Sequence, residues 1–410
     1  MALVVMKFGG SSVADAEKIK RVAGRVISKQ KEGNKVVVVV SAPGDMTDDL
    51  ITMAEGVTDA PQDREMDMLL ATGEQVSIAL LAMAISHMGK KAISLTGPQA
   101  GIHADSTHTK ARITKIVPTK VKNELKRGNI VIVAGFQGLN PIADITTLGR
   151  GGSDLTAVAL AAALKADTCE IYTDVEGVYT TDPRVVSDAR KIEMISYDEM
   201  LEMAGSGAQV MQARSIEVGK KYSVDIHVRS TFSPKEGTII TSEEKIHARR
   251  PKMEDVVVSA VTFDRNQAKL SIIDVADKPG TAARLFKELA KVGINVDMII
   301  QSAPQDKAND ISITINKADL KKALHALNKV KHELKASDII YDDNVAKVSV
   351  VGVGMRSHPG VAARMFGVLS DESINIDMIS TSEIIISCTI KNSEVNKAVA
   401  ALHKEFGLNK

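Results

Sequence analysis

Tryptophan is absent from the 410 residues, and tyrosine and phenylalanine bring the aromatic share only to 3%. A surface that stacks bases needs aromatic faces, and a surface that grips phosphodiester backbones needs a basic excess. Neither is present: 52 lysines and arginines face 51 aspartates and glutamates, a net charge of +1, so the sequence argues against nucleic acid and anionic membrane as partners. Cysteine is nearly absent as well. Cys169 and Cys388 lie far apart with no neighbours at metal-ligand spacing, so core packing is expected for both. Uninterrupted apolar runs such as Leu155 to Leu164 are too short to span a bilayer, and Lys7 interrupts any signal-like start. The expected compartment is the cytoplasm. What remains, 44% apolar and 25% charged residues, describes two or three globular domains with sizeable cores.

Two glycine-rich loops stand out. Lys7-Phe8-Gly9-Gly10-Ser11-Ser12 follows the apolar run Leu3 to Met6 and precedes a helical pattern from Asp15 to Gln30. A buried strand that breaks at paired glycines and re-enters as a helix offers bare amides to an anion, and Lys7 adds a positive charge. The lysine precedes the glycines, so this is not a Walker P-loop. Thr147-Leu148-Gly149-Arg150-Gly151-Gly152-Ser153-Asp154 is of the same kind and leads into a small-residue helix, Leu155 to Lys165. Ser153 or Asp154 is expected to cap that helix, and Arg150 supplies a planar fork for a carboxylate or phosphate. Either loop alone reads equally well as an ordinary turn. Together they point to an anion site.

Through the first 240 or so residues short apolar runs alternate with helical patterns, the signature of a layered α/β domain with a mainly parallel sheet. Val36 to Val40 is β-branched throughout and predicts a strand buried on both faces. Further strands are predicted at 92–95, 130–134, 169–173 and 225–228, and helices at 63–87, 109–127 and 197–220. After a charged, proline-containing linker from Thr241 to Asp255 the chain repeats itself. Asp277-Lys278-Pro279-Gly280 to Phe286, leading to Ile294-Asn295-Val296-Asp297-Met298-Ile299, returns as Ser357-His358-Pro359-Gly360 to Phe366, leading to Ile374-Asn375-Ile376-Asp377-Met378-Ile379. The first copy has a closing strand at Asp338 to Tyr341; the second runs out of chain. Val256 to Val261 is the natural donor of the missing strand, which would insert the first repeat within the second module.

In order along the chain, Lys7 to Ser12, Val40-Ser41-Ala42 with Thr47-Asp48, Gly73-Glu74, Gly135-Phe136-Gln137-Gly138, Gly149 to Asp154, and Thr173-Asp174 through Tyr179 to Asp182-Pro183-Arg184 resemble the motifs of the aspartate kinases of the amino-acid kinase family. The resemblance runs end to end and includes two C-terminal ACT modules. It implies an αβα kinase domain over 1–245, a linker and donated strand over 246–262, and ferredoxin-like α+β ACT modules over 263–342 and 343–410. It also implies transfer of phosphate from MgATP to L-aspartate, with no protein-only metal site and Mg²⁺ held mainly through the nucleotide phosphates. Lys7 and Asp154 would be catalytic, Asp154 by orienting Lys7. Ser41, Thr47, Glu74, Phe136, Arg150, Gly151, Gly152 and Ser153 would bind the amino acid, with Arg150 on its α-carboxylate and Glu74 on its ammonium. Lys7, Gly9, Gly10, Ser11, Thr173, Asp174, Tyr179, Asp182 and Arg184 would hold ATP. Effector positions implied by the ACT likeness are Asp277, Gly280, Ala282, Asn295, Asp297 and Gln301 in one copy, with Asn375, Ile376, Ser382 and Glu383 in the other. Lysine and threonine are the expected effectors, the ACT modules the expected site of homo-oligomerisation, and Met253 a conceivable internal start for a shorter regulatory subunit.

The chemistry explains the residue types. A carboxylate nucleophile must approach a polyanion, and two unit charges about 4 Å apart at an effective dielectric near 20 repel by roughly 4 kcal/mol. Lys7, the amides of Gly9 and Gly10, and Mg²⁺ are the candidates to offset that repulsion. No general base is needed, because the acceptor carboxylate is ionised at neutral pH. One departure from many relatives is Gly207-Ala208-Gln209, where they carry a lysine; Arg214 is a candidate replacement charge. Kinases of N-acetylglutamate, glutamate or UMP share the domain and remain alternatives, as does an amino-acid sensor with an inert kinase domain.

Overall fold

The computed structural model describes residues 1–208, 210–249, 257–303, 308–356 and 358–409. Gln209, Met253, Val256 and Ser357, each used in the reading above, lie outside them, as do residues 250–255 of the linker. The chain forms two compact units, one of Met1–Val178, Lys191–Ala204 and Gln209–Lys252, the other of Tyr179–Arg190, Gly205–Ala208 and Met253–Lys410.

The first unit is built on an eight-stranded sheet in the order Met194–Ser196, Thr238–Thr241, Ile226–Ser230, Thr168–Thr173, Leu3–Phe8, Lys35–Val40, Ile130–Ala134, Ala92–Leu95. All neighbours are parallel except Ile226–Ser230 with Thr238–Thr241. The sheet interior is legible from composition: Val36 to Val40 are all buried, as a strand covered on both faces requires. Helix Ala16–Lys31 lays Ile19, Val22, Ala23, Val26 and Ile27 on the sheet, and Asp15 caps it by accepting from the Lys18 amide at 2.9 Å. A second sheet of four short strands, Ile113–Ile116, Ile102–Ala104, Gln137–Leu139 and Ile145–Thr147, was not anticipated.

Helix Asp63–His87 has 25 residues and is long and apolar enough to cross a membrane by length and composition, which the search for uninterrupted runs missed. It is a core helix instead: Leu81 and Ile85 pack in the sheet's apolar cluster, and Asp67 and Glu74 are buried along it. Two other helix predictions need correction. The expected helix over 109–127 is a strand, Ile113–Ile116, followed by a helix confined to Thr119–Lys126, because Pro118 cannot sit in a helix interior and ends as its N-cap. The expected helix over 197–220 is two helices, Tyr197–Gly205 and Ala213–Tyr222. Gly207 lies between them at φ +106°, and a Cβ there would stand 2.0 Å from the Phe263 carbonyl oxygen.

The second unit carries a six-stranded antiparallel sheet ordered Val296–Gln301, Ala308–Asn316, Ala260–Ala276, Asp338–Val351, Ile385–Lys391, Met378–Thr381. Its two central strands are long enough to serve both repeats. Ala260 to Asp264 pair with Val351 to Lys347 beside Ile385–Lys391, while Gln267 to Ala276 pair with Asn316 to Ala308 in the other half, with register shifts between. Each half covers its own apolar cluster, one with Leu270, Leu285, Ile313 and Leu327, the other with Val348, Leu369, Cys388 and Leu402. The repeat helices Thr281–Lys291 and Val361–Asp371 both start after glycines in the left-handed region, Gly280 at φ 94° and Gly360 at φ 101°, which is why each copy reads Pro-Gly there. Residues 179–190 belong to this unit. Val186 is buried in the second cluster, and the Thr180 hydroxyl lies 2.9 Å from Nε2 of His403. Burial pushes the Cys388 thiol up to about 12, so it behaves as a core side chain.

Candidate active site

The loop after the first strand is shaped by two glycines at close approach. A Cβ on Gly10 would stand 2.7 Å from the Ala42 carbonyl oxygen and 3.0 Å from that of Gly44; a Cβ on Gly9 would meet Lys7 Nζ at 3.5 Å. The ammonium of Lys7 thus hangs over bare backbone. It is ion-paired with Asp154 at 2.6 Å, both side chains being 11% exposed. That geometry is compatible with the expectation that Asp154 orients the lysine.

Three details of the phosphate cradle differ from expectation. The Gly9 amide donates to the Tyr172 carbonyl at 3.3 Å, so it is committed to the strand beside it. The helix after the loop is not open to an anion, because a 3-10 turn over Gly10–Ser12 intervenes and Asp15 caps the helix itself. Neither Ser153 nor Asp154 caps the helix of the second loop; that helix begins at Gly152 after Gly151, at φ 70°, and both side chains lie buried in its first turn. In the second loop Gly151, in the left-handed region, starts the helix itself, which leaves Asp154 in the first turn, where it meets Lys7.

Glu74 comes from the long core helix. Gly73 lets that helix reach the loop at Ser41, since a Cβ on it would stand 2.8 Å from that of Ala42. Glu74 is 3% exposed. One carboxyl oxygen accepts from the Ala42 amide at 3.1 Å, and the other is buried with no hydrogen-bond partner. Desolvation raises its pKa from 4.5 to about 7. Helix, loop and cradle meet here, because Ala42 bonds Glu74 through its amide and crowds Gly10 with its carbonyl, while the Ser41 amide bonds the Phe8 carbonyl at 3.1 Å.

The second loop packs tightly on Gly135-Phe136. A Cβ on Gly135 would stand 2.5 Å from Ser153 Oγ, and one on Gly152 would touch the Phe136 ring at 3.0 Å. Phe136 itself has φ 70°, and its amide bonds Thr156 Oγ1 at 3.1 Å. Arg150 projects from this loop 95% exposed, with Asp48 at 3.5 Å as its ion-pair partner. It is therefore free to swing onto a ligand. Arg214, proposed as a replacement phosphate charge, is spent otherwise: its two terminal nitrogens donate to the carbonyls of Leu148 at 2.8 Å and Ala111 at 2.9 Å. Thr47 is half-buried at the start of helix Met46–Glu55.

The expected nucleotide residues divide between the units after Val178. Thr173 and Asp174 end a central strand of the first unit, hydrogen-bonded to each other at 2.9 Å. Tyr179, Asp182 and Arg184 lie in the second, where Arg184 folds onto Asp182 at 2.7 Å and holds that carboxyl below its usual range. Among the effector positions, Asp297 and Gln301 are exposed on one edge strand, with Asn295 exposed just before it, and Asn375 lies just before the other. The two copies share one burial pattern over 291–300 and 371–380. Asp297 is not a bare carboxylate, because the buried Lys347 ammonium pairs with it and also donates to the Gly205 carbonyl at 3.1 Å. Asp277 accepts from Asn309 at 3.3 Å, Gly280 caps its helix, and Ala282, Ser382 and Glu383 are exposed, with Ile376 half-buried.

Sequence reasoning missed Asp67, which sits in the same core helix and bonds Thr147 at the head of the second loop. A spacing of seven residues, two helical turns before Glu74, was the available signal.

A close-packed glycine loop on a parallel sheet, a buried lysine–carboxylate pair and a repeated α+β module define a class. Residues 2–230 match the amino acid kinase family, and 271–330 and 348–406 match the ACT domain, so the chain is an amino acid kinase with two ACT domains. Within that family it belongs with the aspartokinases. It is 51% identical over 412 residues to an aspartokinase of Mycolicibacterium smegmatis, covering 100% of this chain and 97% of that protein. Among solved structures it resembles E. coli aspartokinase III in complex with aspartate and ADP, with a TM-score of 0.82, 25% identity, and 98% and 99% of the two chains covered. The same enzyme in complex with lysine and aspartate gives 0.76 and 26%, with 98% and 99% covered.

Proposed function

We propose that this protein transfers the γ-phosphoryl group of MgATP to the side-chain carboxylate of L-aspartate, giving 4-phospho-L-aspartate and ADP, the entry step to lysine, threonine and methionine. The observation that carries the reading is the unpartnered, buried oxygen of Glu74. A free amino acid brings an ammonium to that oxygen. An N-acetylated substrate or a nucleotide would leave it unpaired, which is costly. E. coli aspartokinase III, similar along its length, binds aspartate and ADP.

In this mechanism Arg150 swings from Asp48 onto the α-carboxylate and Glu74 takes the ammonium, which fixes the side-chain carboxylate before the γ-phosphorus. A carboxylate oxygen forms the new bond to phosphorus as the bond to the bridging oxygen of ADP breaks. Lys7, oriented by Asp154, offsets charge on the transferring group. Ser41, Thr47, Ser153 and the Gly151-Gly152 backbone complete the amino-acid end; Gly10, Ser11, Thr173 and Asp174 of the first unit serve the nucleotide. Mg²⁺ supplies further charge neutralisation. In this reading the nucleotide phosphates would be its main ligands.

Lysine and threonine are the proposed effectors, read by the exposed edge strands of the ACT repeats, and a homo-oligomer through those repeats in the cytoplasm is the proposed working form. The test is ADP release with L-aspartate, set beside L-glutamate, N-acetyl-L-glutamate and UMP, then repeated with lysine and threonine added. Turnover restricted to L-aspartate and lowered by either amino acid is expected. Turnover with N-acetyl-L-glutamate, or none with any acceptor, would overturn the reading.

A further inference from the structure

Asp67 is fully buried two turns before Glu74 on the same helix, yet the two carboxylates are treated in opposite ways. Glu74 has an oxygen left open; Asp67 is saturated. It accepts from Thr147 Oγ1 at 2.5 Å and from the Thr109 amide at 3.0 and 3.1 Å, and it meets Nδ1 of His108 at 2.6 Å. A carboxylate only accepts, so Nδ1 of His108 is the donor. A group this enclosed has no opening for a ligand.

Its partners show what it does instead. Thr147 is the last residue before the Leu148 to Ser153 loop. Thr109 is β-branched and held at φ 62°, a left-handed conformation such residues avoid, and Asp67 fixes it there through its amide. The short connection that contains Thr109 is laced to the loop at three further points. The Ala111 amide donates to the Thr147 carbonyl at 2.9 Å, the Thr109 carbonyl lies 3.4 Å from where a Cβ on Gly149 would be, and Arg214 bridges Leu148 and Ala111. Asp67 bonds both sides of this seam to the core helix.

We propose that Asp67 is a positioning residue for amino-acid binding: it fixes the seam between residues 108–111 and Thr147, and thereby the register of the loop that presents Arg150 and Ser153. The inference rests on the reading of that loop as the amino-acid end of the site. Reach and direction of Arg150 depend on loop register, whereas none of the residues proposed to hold the nucleotide lies within 148–153, so the effect should fall mainly on one substrate.

The experiment compares Asp67→Ala and Asp67→Asn in the full chain by amide hydrogen exchange over 148–153 and by the separate KM values for L-aspartate and ATP. Asp67→Ala should speed exchange over 148–153 and raise KM for L-aspartate at least about tenfold, with KM for ATP within about twofold. Asp67→Asn, which keeps an acceptor for Thr109 and Thr147, should recover most of both. Unchanged exchange over 148–153, or equal rises in both KM values, would overturn the proposal. Should Asp67→Ala fail to fold, Thr147→Val removes one of the bonds and should shift exchange and KM for L-aspartate about threefold in the same direction; no shift would refute the role. If the unsubstituted protein shows no aspartate-dependent turnover, the functional reading fails, while hydrogen exchange still decides whether Asp67 holds the loop.

Discussion

Replacing Glu74 by glutamine separates what this side chain does for binding from what it costs the fold. Burial moves its pKa from 4.5 to about 7. At about 1.4 kcal/mol per unit, that difference disfavours the ionised form in the empty protein by about 3 kcal/mol. The folded value lies above the unfolded one, so the contribution to stability is fully present below about 4.5 and lost as pH rises through about 7. Glu74→Gln should abolish this slope and make the protein more stable at pH 8, by up to about 3 kcal/mol, measured by urea denaturation at several pH values. Binding runs the other way. A substrate ammonium needs the carboxylate, so kcat/KM for L-aspartate should fall about tenfold per unit below pH 7 and level off above it. In Glu74→Gln a charge-assisted bond worth roughly 1.5–3 kcal/mol is gone, which is a rise of roughly 10-fold to 150-fold in KM for L-aspartate with KM for ATP little changed. The inflection near 7 should vanish with it. A variant with an unaltered KM for L-aspartate, or one that keeps the inflection, would refute the assignment of this oxygen to the ammonium.

Other substitutions probe the neighbouring geometry. Gly10→Ala puts a Cβ 2.7 Å from the Ala42 carbonyl oxygen, where backbone must move, and should cost about 1–3 kcal/mol in thermal or denaturant unfolding. Gly135→Ala places one 2.5 Å from Ser153 Oγ and should raise KM for L-aspartate several-fold more than KM for ATP in steady-state kinetics. Arg214→Met leaves the carbonyls of Leu148 and Ala111 without their donor, and about 1–3 kcal/mol of lost stability is expected in urea unfolding. If Arg214 were instead a phosphate ligand, KM for ATP would rise with little loss of stability.

The parallel sheet was legible because strands covered on both faces must be apolar throughout, and Val36 to Val40 can be read in no other way. The repeat was legible because the Pro-Gly turns impose glycine at φ 94° and 101°. The four-stranded second sheet was hidden: its strands have three or four residues each, too short for alternation to declare itself, and Ile113–Ile116 merged with the following helix in a periodicity reading. In the site, the pairing of Lys7 with Asp154 was expected only from the likeness to the aspartate kinases, since no local signal joins the two loops. Asp67 was not, since its spacing of seven from Glu74 places it on the same helix face but does not tell a saturated buried carboxylate from a solvated one. The capping roles given to Ser153 and Asp154 were wrong for a conformational reason, as Gly151 at φ 70° can start the helix unaided.

The account's central claim is that the Lys7 ammonium, aimed by Asp154 from 2.6 Å over the bare backbone of Gly9, offsets the repulsion between two anions. Its most direct test is the turnover of Lys7→Ala with saturating MgATP and L-aspartate, in a preparation whose circular dichroism matches the parent. The account predicts a fall in kcat of at least about a hundredfold with the fold intact. A folded Lys7→Ala protein that turns over within about threefold of the parent would contradict it.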